Sequence, residues 1–162
     1  MNAYHQLGLL AEVAAAFLGF IAIFIMFSRD DGRFAESDKH FVQGLVVTAT
    51  SVIILCLLPR VLSLFFPEAA VWEICVFVVV VLGPIIAAYQ AWDQFIMPHE
   101  EAIKVHWGWH VPGWTLTVFS FLFLIAAALG LLAADGGYMV AMTLLLSVTL
   151  WCFIAIVFRK FF

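Results

Sequence analysis

The sequence contains little charge: only 11% of its 162 residues are Asp, Glu, Lys or Arg, whereas an ordinary soluble domain carries about 25%. Basic residues are fewer than acidic ones, with 7 Lys and Arg against 11 Asp and Glu. The chain therefore lacks the basic face that nucleic-acid binding requires. Hydrophobic residues make up 66% of the chain, which is more apolar surface than a small soluble globule can bury. The composition therefore excludes a soluble enzyme, a disordered chain and a nucleic-acid-binding module, and it indicates an integral membrane protein.

Sequence signatures of catalysis are also lacking. The chain has no Gly-x-Ser-x-Gly, no His-Glu-x-x-His and no glycine-rich phosphate loop. Its 3 cysteines form no Cys-x-x-Cys pair and lie within apolar runs, where we expect them to pack as small apolar side chains. We expect a protein that is not an enzyme and that has no resident cofactor.

Long apolar runs predict an all-α membrane protein with five transmembrane helices in a compact bundle. A bilayer core needs about 20 mostly apolar residues per helix, and continuous runs favour helices over strands. Pro67 is expected to end the second run because proline has no backbone N–H to donate, and Asp135-Gly136-Gly137 is typical of a tight turn. The predicted spans are residues 7–27, 41–66, 69–92, 114–134 and 138–158.

The distribution of Lys and Arg predicts the orientation of these helices. With five spans, every Lys and Arg except Arg60 lies on the side that holds the first and third connections and the C-terminal end. Basic residues are enriched in cytoplasmic loops, so we expect the N-terminus outside and the C-terminus inside the cell. Because so small a bundle cannot enclose a wide pathway alone, we also expect a symmetric homo-oligomer, with Gly137 and Ala141 among its candidate contacts.

Glu12 is the charged residue inside the first predicted span. An isolated carboxylate is costly at membrane depth, so it should be protonated, paired or facing water. Its helical neighbours Gly8, Ala15 and Gly19 are small, and small residues let another helix approach closely. We therefore expect Glu12 to point into a helix–helix interface.

Arg60 and Glu73 are two further charges that could share the depth of Glu12. If the second helix continues to residue 66, Arg60 lies about 9 Å inside its end, and Glu73 lies about one turn into the third helix. This arrangement predicts a buried cluster of Glu12, Arg60 and Glu73. The cluster would either line a path for protons or small cations, or hold the helices in register as a structural ion pair.

Small polar residues give the second predicted helix a polar face that includes Gln43, Thr48 and Ser51. This face is either the lining of a pathway or a source of ordinary interhelical hydrogen bonds. In the third span, Gly83-Pro84 predicts a bend, because proline removes one hydrogen bond of the helix.

Three histidines are the weak metal-ligand candidates of the chain: His99, His106 and His110. The last two are four residues apart and would share one face of a helix. A metal ion needs three or four converging ligands, and nothing in the sequence fixes a third, so no metal site is predicted.

Two short motifs give the chain a family resemblance. Residues 12–20 read E-x-x-x-x-F-x-G-F, and residues 57–59 read Leu-Leu-Pro at the end of the second predicted helix. With the apolar last helix, they resemble a broad set of small bacterial five-helix inner-membrane proteins. The resemblance implies a multi-pass protein of the bacterial inner membrane but supplies no activity.

Two functions follow as hypotheses. The first is a homo-oligomeric channel or transport protein for protons or small cations, with Glu12 lining the path. The alternative is a non-enzymatic accessory or lipophilic-ligand-binding membrane protein in which the buried charges are structural. The expected partners are the lipid bilayer, further copies of the chain and protons or small cations, and we expect no nucleic acid.

Overall fold

The structure of the protein, a computed structural model, describes residues 3–29, 36–96 and 110–161, and these residues form five α-helices. All five helices are long and apolar enough to cross a membrane, so the prediction of an all-helical, multi-pass membrane protein is confirmed. The orientation of the two ends stays a prediction. In chain order the helices are α1 (Ala3–Arg29), α2 (Glu36–Leu62), α3 (Glu68–Ile96), α4 (Val111–Ala128) and α5 (Ala134–Phe161).

Helix α5 is the central element, because it packs against each of the other four helices, whereas α3 is the helix in least contact with the rest. Cys56 and Cys75 lie in the main apolar core, as expected of small packing residues. The largest side chains of that core include Leu7, Val52, Val71, Leu124, Tyr138 and Met142.

Helix α4 ends at Ala128, six residues before the predicted end at residue 134. Gly130 has a φ of 72°, the left-handed conformation that closes many helices. Two backbone hydrogen bonds complete this closure, from Leu131 N to Ala126 O at 2.9 Å and from Gly130 N to Ala127 O at 3.0 Å. The turn between the last two helices is therefore made at Gly130.

Asp135-Gly136-Gly137, predicted to form a tight turn, instead lies in the first turn of α5, so that prediction is wrong. Gly137 belongs in the helix because α4 approaches it closely: a Cβ there would lie 2.6 Å from Cβ of Ala127. The acidic Asp135 suits the first turn, where the helix dipole favours negative charge. Gly137 is thus a contact within one chain, as is the fully buried Ala141, and neither is available to a second copy.

Helix α2 ends at Leu62, four residues before its predicted end. The connection of residues 63–67 follows, and Pro67 precedes the first residue of α3. Proline is favoured where a helix begins, because the first N–H groups of a helix have no partner within it. The earlier end places Arg60 in the last turn of α2, about 3 Å from the end of the helix.

Pro59 lies inside α2 and cannot donate a hydrogen bond to the carbonyl of Leu55, four residues earlier. The hydroxyl of Tyr138 on α5 donates to that same carbonyl at 2.7 Å. Tyr138 also contacts the ring of Trp72, whose centroid lies 6.1 Å away, and Trp72 contacts Tyr4 at 5.4 Å. These aromatic residues link the starts of α1, α3 and α5, with Trp72 and Tyr138 buried.

Candidate functional site

A cavity of about 260 Å³ lies between α2, α3 and α4, with one side chain from α5. It is formed where α3, the least packed helix, stands beside its neighbours. Most of the lining is apolar, and none of the lining residues carries a charge. The apolar part of the lining includes Ile54, Leu55, Val79, Leu82, Phe121 and Leu124.

Phe121 of α4 packs against Gly83 of α3 in the cavity wall. A Cβ at position 83 would overlap two ring atoms of Phe121, so the ring occupies the space that any larger residue would need. Glycine at this position lets the ring lie against the backbone of α3. The contact fixes the position of the aromatic ring that lines the cavity.

The cavity is partly open, because several of its lining side chains are exposed. Ile54 of α2 and Leu82 and Ile86 of α3 line it, and all three are exposed, Ile54 at 59%. Since these helices span the membrane, the exposed apolar side chains face acyl chains and not water. A lipophilic molecule can therefore reach the cavity from the bilayer without crossing an aqueous phase.

Three of the four hydroxyl groups that line the cavity already donate their hydrogen bonds within the protein. Thr48 donates to the carbonyl of Gly44 at 2.7 Å, Thr117 to that of Gly113 at 2.9 Å, and Ser120 to that of Ala141 at 3.1 Å. The first two are bonds inside their own helix, and the third joins α4 to α5. These groups have no donor proton left for a ligand, although their oxygens can still accept.

Gln90 differs from these hydroxyl groups. Its side-chain nitrogen, Nε2, is buried and has no hydrogen-bond partner, and it is the one such side-chain atom found in the described ranges. Leaving a buried donor unsatisfied costs about 1–3 kcal/mol. Gln90 lines the cavity, although Nε2 itself has almost no accessible surface. A ligand with an acceptor atom in the cavity would remove this cost if the amide turned toward it.

The predicted polar face of α2 is divided by the structure. Thr48 and Ser51 line the cavity, and the hydroxyl of Thr48 also lies 3.2 Å from that of Thr149 on α5. Gln43 is half-buried and does not line the cavity. The polar face of α2 therefore contributes both an interhelical hydrogen bond and part of the cavity wall.

The predicted buried cluster of Glu12, Arg60 and Glu73 is wrong for the single chain. All three side chains are exposed, and no ion pair joins them within the part of the chain that the structure describes. They also lie at different depths, about 14, 3 and 8 Å from the nearer ends of their helices. The early end of α2 removes Arg60 from the depth that the cluster required.

The small residues around Glu12 do not contact another helix of the same chain. A Cβ at Gly8 or Gly19 would meet nothing within 4 Å, and Ala15 is exposed. The expectation that Glu12 points into an interface between helices of this chain is therefore wrong. Helix α1 turns this face outward because its packing residues, such as Leu7, Ala14 and Ile21, lie on the opposite side.

The histidine candidates do not form a metal site within the described residues, where no group of three or more His, Cys, Asp or Glu converges. His110 precedes α4 and stacks on Phe41, with the ring centroids 5.1 Å apart. His99 and His106 lie outside the described residues.

Comparison with known proteins yields no relative: neither a protein-family model, nor a curated protein, nor a solved structure matches the chain. The site therefore has to be interpreted from its own chemistry. Sequence reasoning missed Gln90, Thr117, Ser120 and Phe121, all of which line the cavity. Gln90 was the one recognisable signal, because an uncharged amide within an apolar span needs a hydrogen-bond partner.

Proposed function

We propose that the protein is a non-enzymatic membrane protein that binds a lipophilic ligand in the cavity between α2, α3 and α4. The observation that carries this proposal is an apolar, uncharged cavity whose lining includes Gln90, a residue with an unpartnered amide nitrogen. Small-molecule sites are typically apolar with a few well-placed polar groups. A cavity of about 260 Å³ would also forfeit many packing contacts if nothing filled it.

The energetic basis of such binding differs from that in water. Lipid tails are as apolar as the cavity wall, so transfer of a ligand from the bilayer gains little from the hydrophobic effect. Shape complementarity and hydrogen bonding in a medium of low dielectric then determine which molecule binds. The rigid ring of Phe121 and the amide of Gln90 are the two features of the wall that can discriminate.

Photo-crosslinking of the purified protein in lipid nanodiscs tests the proposal. A long-chain acyl ester that carries a diazirine on its chain is irradiated with the protein, and the labelled peptides are identified by mass spectrometry. We expect labels on the cavity-facing parts of α2, α3 and α4, and we expect excess unlabelled ester to compete with them.

Two neighbouring alanines of α3 provide a matched pair of variants. Ala87 lines the cavity, whereas Ala88 is exposed on the outside of the helix. Ala87→Phe fills the cavity and should abolish the competed labelling, while Ala88→Phe adds the same side chain elsewhere and should preserve it. Equal labelling of the two variants would contradict binding in the cavity.

The cation-channel hypothesis finds less support. Glu12 is exposed on the outside of α1, so a path that uses its carboxylate would run between copies of the chain and not through one copy. Flux of protons or cations into liposomes that contain the wild type, compared with Glu12→Gln, tests this hypothesis. A flux that Glu12→Gln removes would support the channel over the ligand-binding function.

A further inference from the structure

The cavity has a polar end and an apolar end. Gln90 lies six residues before the end of α3, and Thr117 lies six residues after the start of α4, so both are about 9 Å from the same end of the helix pair. Val79, on the opposite end of the lining, is about 16 Å from Gln90 along α3. On α4, Leu124 lies about 10 Å beyond Thr117 in the same direction. The lining is therefore graded along the membrane normal.

The polar end has unpartnered donors. The hydroxyl protons of Thr48, Thr117 and Ser120 are bound to backbone carbonyls, and Nε2 of Gln90 has no acceptor. The hydroxyl of Ser51 makes no hydrogen bond within the described residues either. An acceptor atom on a ligand would satisfy the buried amide of Gln90, whereas Thr48, Thr117 and Ser120 each already make a hydrogen bond and need no partner from the ligand.

The bound part of the ligand must also be uncharged and narrow. No lining residue carries a charge, so a buried ionic group would have no counter-ion and would be costly. About 260 Å³ is below the roughly 300–1,000 Å³ that is typical of pockets for drug-sized ligands. The cavity thus accepts one chain and a small polar group, while the remainder of a larger molecule stays in the bilayer beside the exposed Ile54 and Ile86.

We infer that the ligand is a neutral amphiphile whose carbonyl oxygen accepts a hydrogen bond from Nε2 of Gln90, with its apolar chain extending past Phe121 toward Val79 and Leu124. This inference rests on the proposed function and adds the chemical class and the orientation of the ligand. Two sources supply this chemistry in membranes, the acyl ester of a lipid and the ring carbonyl of a prenylated quinone.

Competition among three unlabelled compounds tests the inference, with the diazirine-bearing acyl ester as the probe in nanodiscs. The compounds are a long-chain methyl ester, an alkane of equal length that lacks the carbonyl, and a prenylated benzoquinone. For the wild type, we expect at least one carbonyl compound to compete about tenfold more strongly than the alkane, the effect of one hydrogen bond of ordinary net strength. Stronger competition by the ester or by the quinone identifies the source.

Gln90→Leu keeps the size of the side chain and removes the donor. We expect this variant to bind the alkane as the wild type does and to lose the preference for the carbonyl compound. Gln43→Leu is the matched control, because Gln43 does not line the cavity, and it should keep the preference. The wild-type comparison of carbonyl compound and alkane tests the inference even if Gln90→Leu fails to fold.

The outcomes separate the two proposals. If the probe labels the wild type no more than Ala87→Phe, ligand binding in the cavity is wrong. If the probe labels the cavity but the wild type does not distinguish carbonyl compounds from the alkane, the cavity binds ligands and the inference about their class is wrong. A carbonyl preference that survives in a folded Gln90→Leu overturns the role of Gln90.

Discussion

Removal of the Tyr138 hydroxyl should destabilise the protein through a defect that Pro59 creates in α2. Pro59 cannot donate to the carbonyl of Leu55, and the Tyr138 hydroxyl donates to it at 2.7 Å. Tyr138 is fully buried, so Tyr138→Phe leaves this carbonyl without a donor. We expect the substitution to lower the free energy of unfolding by about 1–2 kcal/mol.

Replacing Pro59 should reduce that cost. In Pro59→Ala, the backbone N–H of residue 59 can donate to Leu55 in the ordinary helical pattern, so the carbonyl no longer depends on Tyr138. Pro59 is itself buried, and its replacement has packing effects of its own. A double-mutant cycle cancels them, because the cost of Tyr138→Phe is measured in both backgrounds.

Reversible unfolding in mixed micelles, titrated with a denaturing detergent and followed by circular dichroism, gives the four free energies. We expect Tyr138→Phe to cost at least about 1 kcal/mol more with Pro59 than with alanine at that position. Tyr89 is 60% exposed, and Tyr89→Phe should change stability by less than about 0.5 kcal/mol. Equal costs of Tyr138→Phe in the two backgrounds would refute the compensation.

Three other predictions follow from the packing. Gly137→Ala should destabilise the protein by about 1–3 kcal/mol in the same unfolding assay, because its Cβ would overlap α4. Gly136→Ala is the control: its Cβ would meet nothing within 4 Å, so this variant should be neutral or stabilising. A larger loss of stability in Gly136→Ala than in Gly137→Ala would contradict the close contact between α4 and α5. Gly83→Ala should displace the ring of Phe121 into the cavity and thereby weaken the competed photo-labelling. If Gly83→Ala is labelled as strongly as the wild type, the ring does not move into the cavity. Glu12→Gln should leave unfolding and photo-labelling unchanged because the side chain is exposed, and a loss of stability would reveal a contact absent from the single chain.

The helices could be predicted from the sequence because a membrane span imposes a strong one-dimensional signal, a long run without charge. Their ends could not, because local backbone geometry decides them. Three glycines near the end of α4 look alike in the sequence, at positions 130, 136 and 137. Gly130 adopts the left-handed conformation and ends the helix, while Gly137 is retained inside α5 by the approach of Ala127.

The site was harder to predict than the fold, because the few charged residues of an apolar chain are the obvious candidates for a buried site, and here they are not buried. The functional hypothesis was based on Glu12, Arg60 and Glu73, but all three are exposed. Whether a charge lies inside depends on the rotation of its helix and on where that helix ends. For Arg60, a difference of four residues in the end of α2 was sufficient to change its depth from about 9 Å to about 3 Å.

The cavity depends on small side chains that three helices bring to one level of the membrane. Ser51 of α2, Ala87 of α3 and Ser120 of α4 all line it, and each is unremarkable in its own segment, where small residues usually promote close helix packing. Here Phe121 packs against Gly83 and occupies one level of the α3–α4 interface. Because this contact keeps α3 and α4 apart, the small side chains of Ser51, Ala87 and Ser120 leave a cavity between the helices instead of allowing close helix packing. A large residue at any one of these positions would close the cavity, which is why Ala87→Phe is the most direct test of what the protein binds.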